Sequence, residues 1–286
     1  MDAIIGVVYS LIGERMVPGL LRFANDEETL PGLNGAKVIR ALQSWNFNCP
    51  SGVDGPISDD PLVSDADLLR ESAGCTAFHA LLIELRARIE QNESAPTGRK
   101  PSIATYYSIV DPTKLIGGDV YWDDPATQEI ETDTSVMSDA LAATGDFLVA
   151  ELGDDETQWA WGRLHGLLLQ SDLSSLSGLF AEFDNPPPNN PLFANDGGLF
   201  TVDVANPGQT DFVQLAGPST RFVCEASSEG PSCTFQLPGG QSADLNSVNY
   251  EDLLFPYLRN TPLPLVFDLE EARQNAENGG RVVTFE

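Results

Sequence analysis

The sequence predicts an α+β protein, because the spacing of its apolar residues changes near Trp159. Before that residue, apolar side chains recur every three or four positions, as they do on helices; after it they alternate with polar ones, as on strands. Helices that precede a run of antiparallel strands are typical of this fold class. We therefore predict a single region over residues 1–286, mainly helical over 1–158 and strand-rich over 159–286.

The first helices are predicted from apolar stripes. An amphipathic helix is expected in the opening run Met1–Ile12, and it resumes beyond Pro18. Its apolar positions are Ile4, Val8, Leu11, Ile12, Val17, Leu20 and Leu21. Asn34 is then expected to cap a short helix that carries Val38, Leu42 and Trp45 on one stripe.

Two longer helices follow. Ser64 with Asp67 resembles a capping box that opens the longest helix of the chain. The apolar face of this helix comprises Leu68, Cys75, Phe78, Leu82, Leu85 and Ile89. A further helix is predicted over Ser135–Leu152, ending at Gly153. Residues 92–133 between the two are polar and rich in Pro and Asp, so we expect a surface loop there.

Short strands between Gly and Pro turns are predicted after Trp159. They comprise the alternating run Phe200–Val204, then Phe212–Leu215, Thr220–Glu225 and Cys233–Leu237, and an edge strand over Arg281–Phe285. The proline-rich run Asn185–Pro191 is expected to form a rigid loop.

The charge of the chain excludes two classes of partner. Its 15 Lys and Arg face 43 Asp and Glu, for a net charge of −28. Such a surface repels phosphate backbones and anionic lipid heads, so we expect neither nucleic acid nor membrane as a partner. The acidity itself indicates solubility more than a charged substrate.

The four cysteines predict disulfides. Cys224 and Cys233 flank a turn-rich loop, and pairing them places Phe222 opposite Phe235 in the register of an antiparallel hairpin. Cys49 and Cys75 remain and form either a second bridge or two small buried thiols. Bridges indicate an oxidising compartment, so the protein is expected to be periplasmic or secreted.

The start of the chain carries no recognisable export signal. Its apolar run follows Asp2 instead of a basic segment, and Glu14 follows it without a small-residue cleavage site. Ten apolar residues are also too few to cross a bilayer. We expect that the sequence begins inside a longer precursor.

Five pieces of sequence stand in a fixed order between Trp159 and Leu258. They are WAWGRLH (Trp159–His165), DGGLFTV (Asp196–Val202), GPSTRFV (Gly217–Val223), LPGGQS (Leu237–Ser242) and NYEDLL (Asn249–Leu254). In this order the chain resembles the C-terminal part of the large subunit of the penicillin acylase (penicillin amidase) family. These are N-terminal-nucleophile amide hydrolases.

The resemblance implies a fold and an activity. The fold is a four-layer αββα sandwich, of which this chain forms part. The activity is hydrolysis of the carbon–nitrogen bond of a linear amide, such as an acyl side chain on a β-lactam or a homoserine lactone. The family's nucleophile is the first residue of a self-cleaved chain, whose α-amino group serves as the base. No catalytic residue is assigned to this chain, which is expected to be inactive without the remaining part of its precursor.

The remaining candidates are supporting residues rather than catalytic ones. They are His165, Arg221, Gly239 and Gly240, and the two glycines are expected in a tight turn that needs positive φ. Ser219 and Ser242 lack a neighbouring base. His79 lies one helical turn after Cys75, but zinc needs two further ligands that the spacing does not supply.

The sequence also raises expectations about a metal, about departures from the family pattern and about an alternative function. Calcium is possible by family resemblance, but none of the acidic clusters follows an EF-hand spacing, and no cofactor is assigned. Relatives commonly carry Gly and His where this chain has Ala243 and Asn249, which puts the pH dependence of this corner in question. The alternative function is an acidic binding or scaffold protein that keeps the fold without catalysis.

Overall fold

The computed structural model describes residues 7–22, 32–93, 122–124, 127–208, 211–228 and 230–277. These residues fall into two compact units, one of residues 7–217 and the other of residues 218–277. Helices and largely antiparallel strands make up the described chain, which confirms the α+β class. None of the described helices is both long and apolar enough to cross a membrane.

The opening helix begins later than predicted. Helix α1 runs over Leu11–Leu21, with the Ser10 hydroxyl accepting a hydrogen bond from the Gly13 N–H. Tyr9, just before it, forms an antiparallel bridge with Asn48 instead of helix. The prediction of a helix across Met1–Ile12 is therefore wrong over residues 7–10, because an N-cap serine and a strand partner outweigh the apolar spacing.

Helices α2 and α3 have different caps from those predicted. Helix α2 covers Gly32–Ser44, so Asn34 lies inside it rather than at its start. Helix α3 covers Ala66–Glu93, and the Asp65 carboxylate, not Ser64, accepts the first backbone N–H groups. The predicted core positions from Cys75 to Ile89 are buried as expected.

Helix α4 over Asp133–Leu152 completes the helical core and matches its prediction closely. Thr132 and Ser135 form a capping box at its start, and Gly153 is the C-cap. Gly145 brings the helix against the backbone of Asn34 and Gly35 in α2. Buried residues of α1–α4 pack together with four tryptophans in one cluster, among them Met16, Leu42, Trp45, Phe78, Leu85, Met137, Leu148, Trp122, Trp159 and Trp161.

A small mixed sheet completes the first unit. Its strands are β1 (Gly166–Leu167), β2 (Phe193–Ala194), β3 (Asn206–Pro207) and β4 (Gln214–Ala216), in the order β2-β1-β4-β3. The β1–β4 pair is parallel and the other two pairs are antiparallel. Helix α5 (Asp172–Leu176) and a 3₁₀ segment (Gly178–Phe183) lie between β1 and β2.

The predicted strand over Phe200–Val204 is wrong. Phe200 has a φ of 59°, and the Thr201 hydroxyl bonds the carbonyls of Gly198 and Asp203, which closes a turn. The alternating hydrophobicity did not indicate this turn, because side-chain-to-backbone hydrogen bonds from a threonine compete with strand geometry and leave no trace in the apolar pattern. The loop after Asn185 contains a cis peptide bond to Pro186.

The second unit is built on an antiparallel sheet. Strands β5 (Arg221–Ser227), β6 (Gly230–Gln236) and β7 (Leu263–Leu265) pair in that order, and α6 (Leu254–Leu258) and α7 (Leu269–Glu277) accompany them. Phe222 lies opposite Phe235, and Cys224 opposite Cys233, as the sequence predicts.

Both predicted disulfides are present. Cys224 is bonded to Cys233 and Cys49 to Cys75, with Cα–Cα distances of 4.1 Å and 5.1 Å. The alternative of two free buried thiols at Cys49 and Cys75 is therefore wrong for this structure. The edge strand predicted over Arg281–Phe285, Ile4 and most of the loop predicted over residues 92–133 lie outside the described residues.

Candidate functional site

The WAWGRLH motif meets helix α3 in a buried stack of three rings within the first unit. The Trp161 indole lies between the imidazoles of His79 and His165, at centroid distances of 4.5 Å on both sides. The interplanar angles are 26° and 8°, so both contacts are face to face. All three side chains are buried. We call His79, Trp161 and His165 the ring stack.

Hydrogen bonds fix the tautomer of His79. The Leu199 N–H can only donate, and it lies 3.1 Å from Nε2, so this nitrogen is the acceptor. The proton is then on Nδ1, which donates to the Cys75 carbonyl at 2.9 Å. Burial lowers the pKa of His79 to about 4 despite that carbonyl, so the ring is neutral near pH 7.

His165 is held by one hydrogen bond. Its Nδ1 is 2.8 Å from the Phe212 carbonyl and donates to it, while the buried Nε2 has no hydrogen-bond partner among the described residues. Burial lowers the pKa of His165 to about 3 despite the Phe212 carbonyl, with a smaller contribution from the charge that His79 would carry. A neutral imidazole with its N–H committed to a backbone carbonyl suits a structural role better than proton transfer.

The ring stack ties helix α3 to the chain that follows α4. The Trp161 indole N–H donates to the Gly197 carbonyl at 2.7 Å, and its backbone N–H donates to the Ser72 hydroxyl at 2.7 Å. The Thr76 hydroxyl donates to the Trp159 carbonyl at 2.9 Å. Motifs that are far apart in sequence therefore converge on one face of α3.

The backbone of Gly198 passes close to this cluster. A Cβ built at Gly198 would lie 2.8 Å from His79 Cε1 and 3.6 Å from Cys49 Sγ. The glycine is required here because no side chain fits between the loop and the imidazole. The Cys49–Cys75 disulfide lies on the same side of His79, with Cys75 Sγ 3.4 Å from Nδ1.

Sequence reasoning missed several members of this cluster. Ser72 and Thr76 lie one turn apart on α3, beside Cys75 and His79, and this polar row on a buried face was the available signal. Cys49 was predicted as a bridge partner, but nothing in the sequence placed it next to His79.

A second buried polar cluster lies within the unit of residues 218–277. Arg221 Nη1 donates to Gln236 Oε1 at 3.0 Å and to the Tyr257 carbonyl at 2.9 Å. The guanidinium carbon lies 3.9 Å from the centroid of the Tyr257 ring. Gln236 in turn donates to the Pro256 carbonyl at 2.5 Å. Arg221 thereby joins the β5–β6 hairpin to α6.

The glycine turn differs from its prediction. Neither Gly239 nor Gly240 has positive φ. Gly240 is required for a different reason, since a Cβ there would overlap the backbone carbonyls of Asn249 and Tyr250. The Ser242 N–H donates to the Asn249 carbonyl at 3.1 Å, which joins the two motifs. Both histidines belong to the first unit, and no base contacts Ser219 or Ser242 among the described residues.

Several of the acidic groups are engaged in helix caps and ion pairs. Hydrogen bonds from the Asp124 N–H and Thr127 lower the pKa of Glu131. Lys37 pairs with Asp154, and Arg40 Nε lies 2.6 Å from a Glu156 oxygen. Among the described residues, one group of three metal-ligand side chains has its ligand atoms within 4.8 Å of one another: Cys49, Cys75 and His79. Calcium binding stays a prediction.

Two surface recesses of about 320 Å³ each lie within the first unit. Leu11, Ile12, Arg15 and Phe200 line an apolar one. The other is polar and includes Asp59, Glu151 and Arg163 in its lining. Neither contains a member of the ring stack.

The fold and its buried clusters define a disulfide-bonded α+β protein whose sequence motifs serve mainly to join its elements. The profile of the family described as Penicillin amidase matches residues 1–274. The chain therefore belongs to the penicillin amidase family, as its motifs predicted.

Curated relatives and a solved structure are similar to parts of the chain. It is 28% identical over 223 residues to the acyl-homoserine lactone acylase QuiP of Pseudomonas aeruginosa, covering 70% of this chain and 25% of the relative. The QuiP of Pseudomonas syringae pv. tomato is 26% identical over 226 residues, covering 75% of this chain and 26% of that relative. The chain thus spans about a quarter of the length of these relatives.

Among solved structures, the thermostable penicillin G acylase of Alcaligenes faecalis is similar at 14% identity and a TM-score of 0.48. That match covers 98% of this chain and 48% of the other.

Proposed function

We propose that the chain is part of an amide hydrolase that cleaves the carbon–nitrogen bond of a linear amide, with an N-acyl-homoserine lactone or a β-lactam that carries an acylamino side chain as substrate. Membership of the penicillin amidase family over residues 1–274 carries this proposal. The curated relatives are named as acyl-homoserine lactone acylases, which favours the first of the two substrates.

The role of this chain in that enzyme is to support the reaction rather than to perform it. Both histidines are buried and neutral, with Nδ1 of each committed to a backbone carbonyl. Among the described residues, no serine or threonine hydroxyl bonds either imidazole. The ring stack and the Arg221 cluster instead fix where backbone segments lie, which is what a wall of a binding pocket requires.

The nucleophile is expected on a further part of the same precursor. The relatives are about four times as long as the matched stretch, which supports a partner portion that carries the reactive amine and hydroxyl. Two disulfides favour a periplasmic or secreted location for the assembled enzyme. Calcium remains a possible further component of that enzyme.

Assay of the isolated chain tests the supporting role. We expect no release of homoserine lactone from an N-acyl-homoserine lactone, and no release of chromophore from a phenylacetyl amide. Turnover that disappears when Ser219, Ser242 or His165 is substituted would place catalysis in this chain and overturn the supporting role, while the hydrolase class would stand.

Sequencing the genomic DNA upstream of Met1 tests whether the same precursor contains a further portion. We expect an in-frame continuation that encodes a self-cleavage junction and an export signal. A promoter and ribosome-binding site directly before Met1 would contradict the partner and favour the alternative, an independent acidic binding or scaffold protein.

A further inference from the structure

Three side chains that commonly bind transition metals meet at one buried point. The sequence places Cys75 and His79 one turn apart on α3, and the fold brings Cys49 beside them from the segment after α2. Their candidate ligand atoms all lie within 4.8 Å of one another. The two sulfurs are fully buried, and His79 is 2% exposed.

We propose that Cys49, Cys75 and His79 supply three of the four ligands of one Zn²⁺ ion when the Cys49–Cys75 disulfide is reduced, with a water molecule as the fourth. The disulfide and the metal are then alternative states of the same cluster. Reduction adds two electrons and two protons to the S–S bond and yields two thiols. A dithiol supplies both and becomes a disulfide, whereas a phosphine supplies the electrons, becomes the phosphine oxide and takes the oxygen atom and the two protons from water. Zinc binding then releases two protons, one from each thiol. This inference does not depend on the proposed amide hydrolysis.

The distances in the cluster suit zinc after a small rearrangement. With Zn–S near 2.3 Å and Zn–N near 2.0 Å, tetrahedral ligands stand about 3.5 Å apart for S and N and about 3.8 Å apart for two sulfurs. Cys75 Sγ is already 3.4 Å from His79 Nδ1. The two sulfurs have to separate from their bonded distance, and rotation of the cysteine side chains is the movement that we expect to provide it.

Charge favours a divalent cation, and the ligand types favour zinc over calcium and magnesium. Two thiolates and one Zn²⁺ sum to zero, so the complex is neutral in a pocket where His79 contacts the rings of Phe78 and Trp161. Burying two thiolates without a cation would be costly. Sulfur and imidazole ligands also select against calcium and magnesium, which prefer oxygen.

Zinc binding changes the hydrogen bonds of His79 in a defined way. As a ligand, Nδ1 gives up the proton that it now donates to the Cys75 carbonyl, and the ring proton moves to Nε2. The Leu199 N–H then loses its acceptor. The zinc state is therefore expected to loosen the turn at Gly198–Leu199 while the rest of the unit stays folded.

The test uses the full chain, which is reduced with tris(2-carboxyethyl)phosphine and then separated from the reductant under anaerobic conditions. We expect the reduced chain to bind about one Zn²⁺, measured by metal analysis and by competition with a chromophoric chelator. Cobalt(II) in its place is expected to give the absorption of a tetrahedral thiolate site. Faster exchange of the Leu199 amide on zinc binding is the accompanying readout.

Matched variants separate this site from the other cysteine pair. Cys224→Ser with Cys233→Ser keeps the proposed ligands and should bind zinc as the wild type does. His79→Gln should weaken binding by about 100-fold or more, since loss of a ligand exceeds the 10–100-fold effect of its supporting partners. Cys49→Ser with Cys75→Ser should abolish it.

Three outcomes would overturn the proposal. One is equal zinc affinity of the reduced wild type and the Cys49→Ser, Cys75→Ser chain. Another is loss of binding in the Cys224→Ser, Cys233→Ser chain. The third is unfolding of the wild type on reduction that zinc does not reverse, as judged by circular dichroism, because a site that exists only in the folded chain must stabilise it.

Discussion

At the scale of single residues, the two histidines show how burial decides what a titratable group can do. Each ring stacks on Trp161, and each has its pKa lowered well below the ordinary value of 6.5. Such a ring contributes packing and one directed hydrogen bond. Protonating it would place a charge among aromatic rings, which the fold resists.

The stability of the 7–217 unit should therefore fall as the pH drops from 6.5 towards 4. The unfolded histidines bind protons near pH 6.5, whereas the folded ones stay neutral until about pH 4 for His79 and about pH 3 for His165. The unfolded state thus gains more protons on acidification, and stability decreases by roughly 1.4 kcal/mol for each unit of pKa difference. Thermal unfolding between pH 5 and 7 measures this slope.

The variant His165→Asn provides the control for this pH dependence. Its side-chain amide can still donate to the Phe212 carbonyl, but it does not titrate. We expect a lower unfolding temperature at every pH and a shallower slope between pH 5 and 6.5, where carboxylates contribute little. A slope equal to that of the wild type would show that His165 is not buried as a neutral ring.

The supporting candidates could be named from the sequence, but their contacts could not. His165 was singled out because it follows a Trp-Gly pair, and Arg221 because it lies in a motif. That His165 stacks on Trp161 and that Arg221 lies over Tyr257 depend on how distant segments meet. The spacing of Gly239 and Gly240 indicated a constrained backbone, while the nature of the constraint required the position of Asn249.

At the scale of elements, local signals predicted those parts whose partners are close in sequence. The β5–β6 register followed from Cys224 and Cys233, because a hairpin pairs residues across one turn. Helix α4 followed from the spacing of its apolar residues and from Gly153 at its end. The prediction of a strand over Phe200–Val204 was wrong because the Thr201 hydroxyl bonds two backbone carbonyls there. The prediction of a helix was wrong over residues 7–10 because Tyr9 pairs with Asn48.

The crossing of α2 and α4 depends on one glycine. A methyl group at Gly145 would meet the backbone of Asn34 and lie 2.6 Å from the Gly35 nitrogen. Since backbone atoms cannot rotate away, the helices have to separate, and Gly145→Ala should lower the free energy of unfolding by about 1–3 kcal/mol. Denaturant titration followed by circular dichroism measures the loss.

Gly178→Ala is the matched control, because it adds the same methyl group at a position where that group meets no neighbouring atom of the described residues. No heavy atom lies within 4 Å of a Cβ at Gly178. Its unfolding free energy should stay within about 0.5 kcal/mol of the wild type. Equal losses of unfolding free energy for Gly145→Ala and Gly178→Ala would contradict the close crossing of α2 and α4.

At the scale of the whole molecule, the charge of −28 opposes folding through self-repulsion. Ion pairs such as Arg40–Glu156 and Arg88–Glu84 offset little of it, because partly exposed pairs contribute about 0–1 kcal/mol each. The net repulsion could be predicted from the acidic composition alone, whereas the positions of the ion pairs required the structure.

Added salt should therefore stabilise the protein. Raising the ionic strength from about 0.01 M to about 0.1 M shortens the screening length from about 30 Å to about 10 Å and weakens the repulsion. We expect a higher unfolding temperature in sodium chloride at pH 7, by calorimetry. The same titration at pH 4 is the control, since many carboxylates are then protonated and the gain should shrink. A lower unfolding temperature in salt at pH 7 would contradict net repulsion.

All four tryptophans of the sequence belong to the unit of residues 7–217, and all four are buried: Trp45, Trp122, Trp159 and Trp161. Their fluorescence can only report on that unit. The unit of residues 218–277 contains no tryptophan, and its Tyr250 and Tyr257 are two of the six tyrosines of the chain. Comparing the tryptophan emission with circular dichroism, to which both units contribute, would show whether the two units unfold together or in succession.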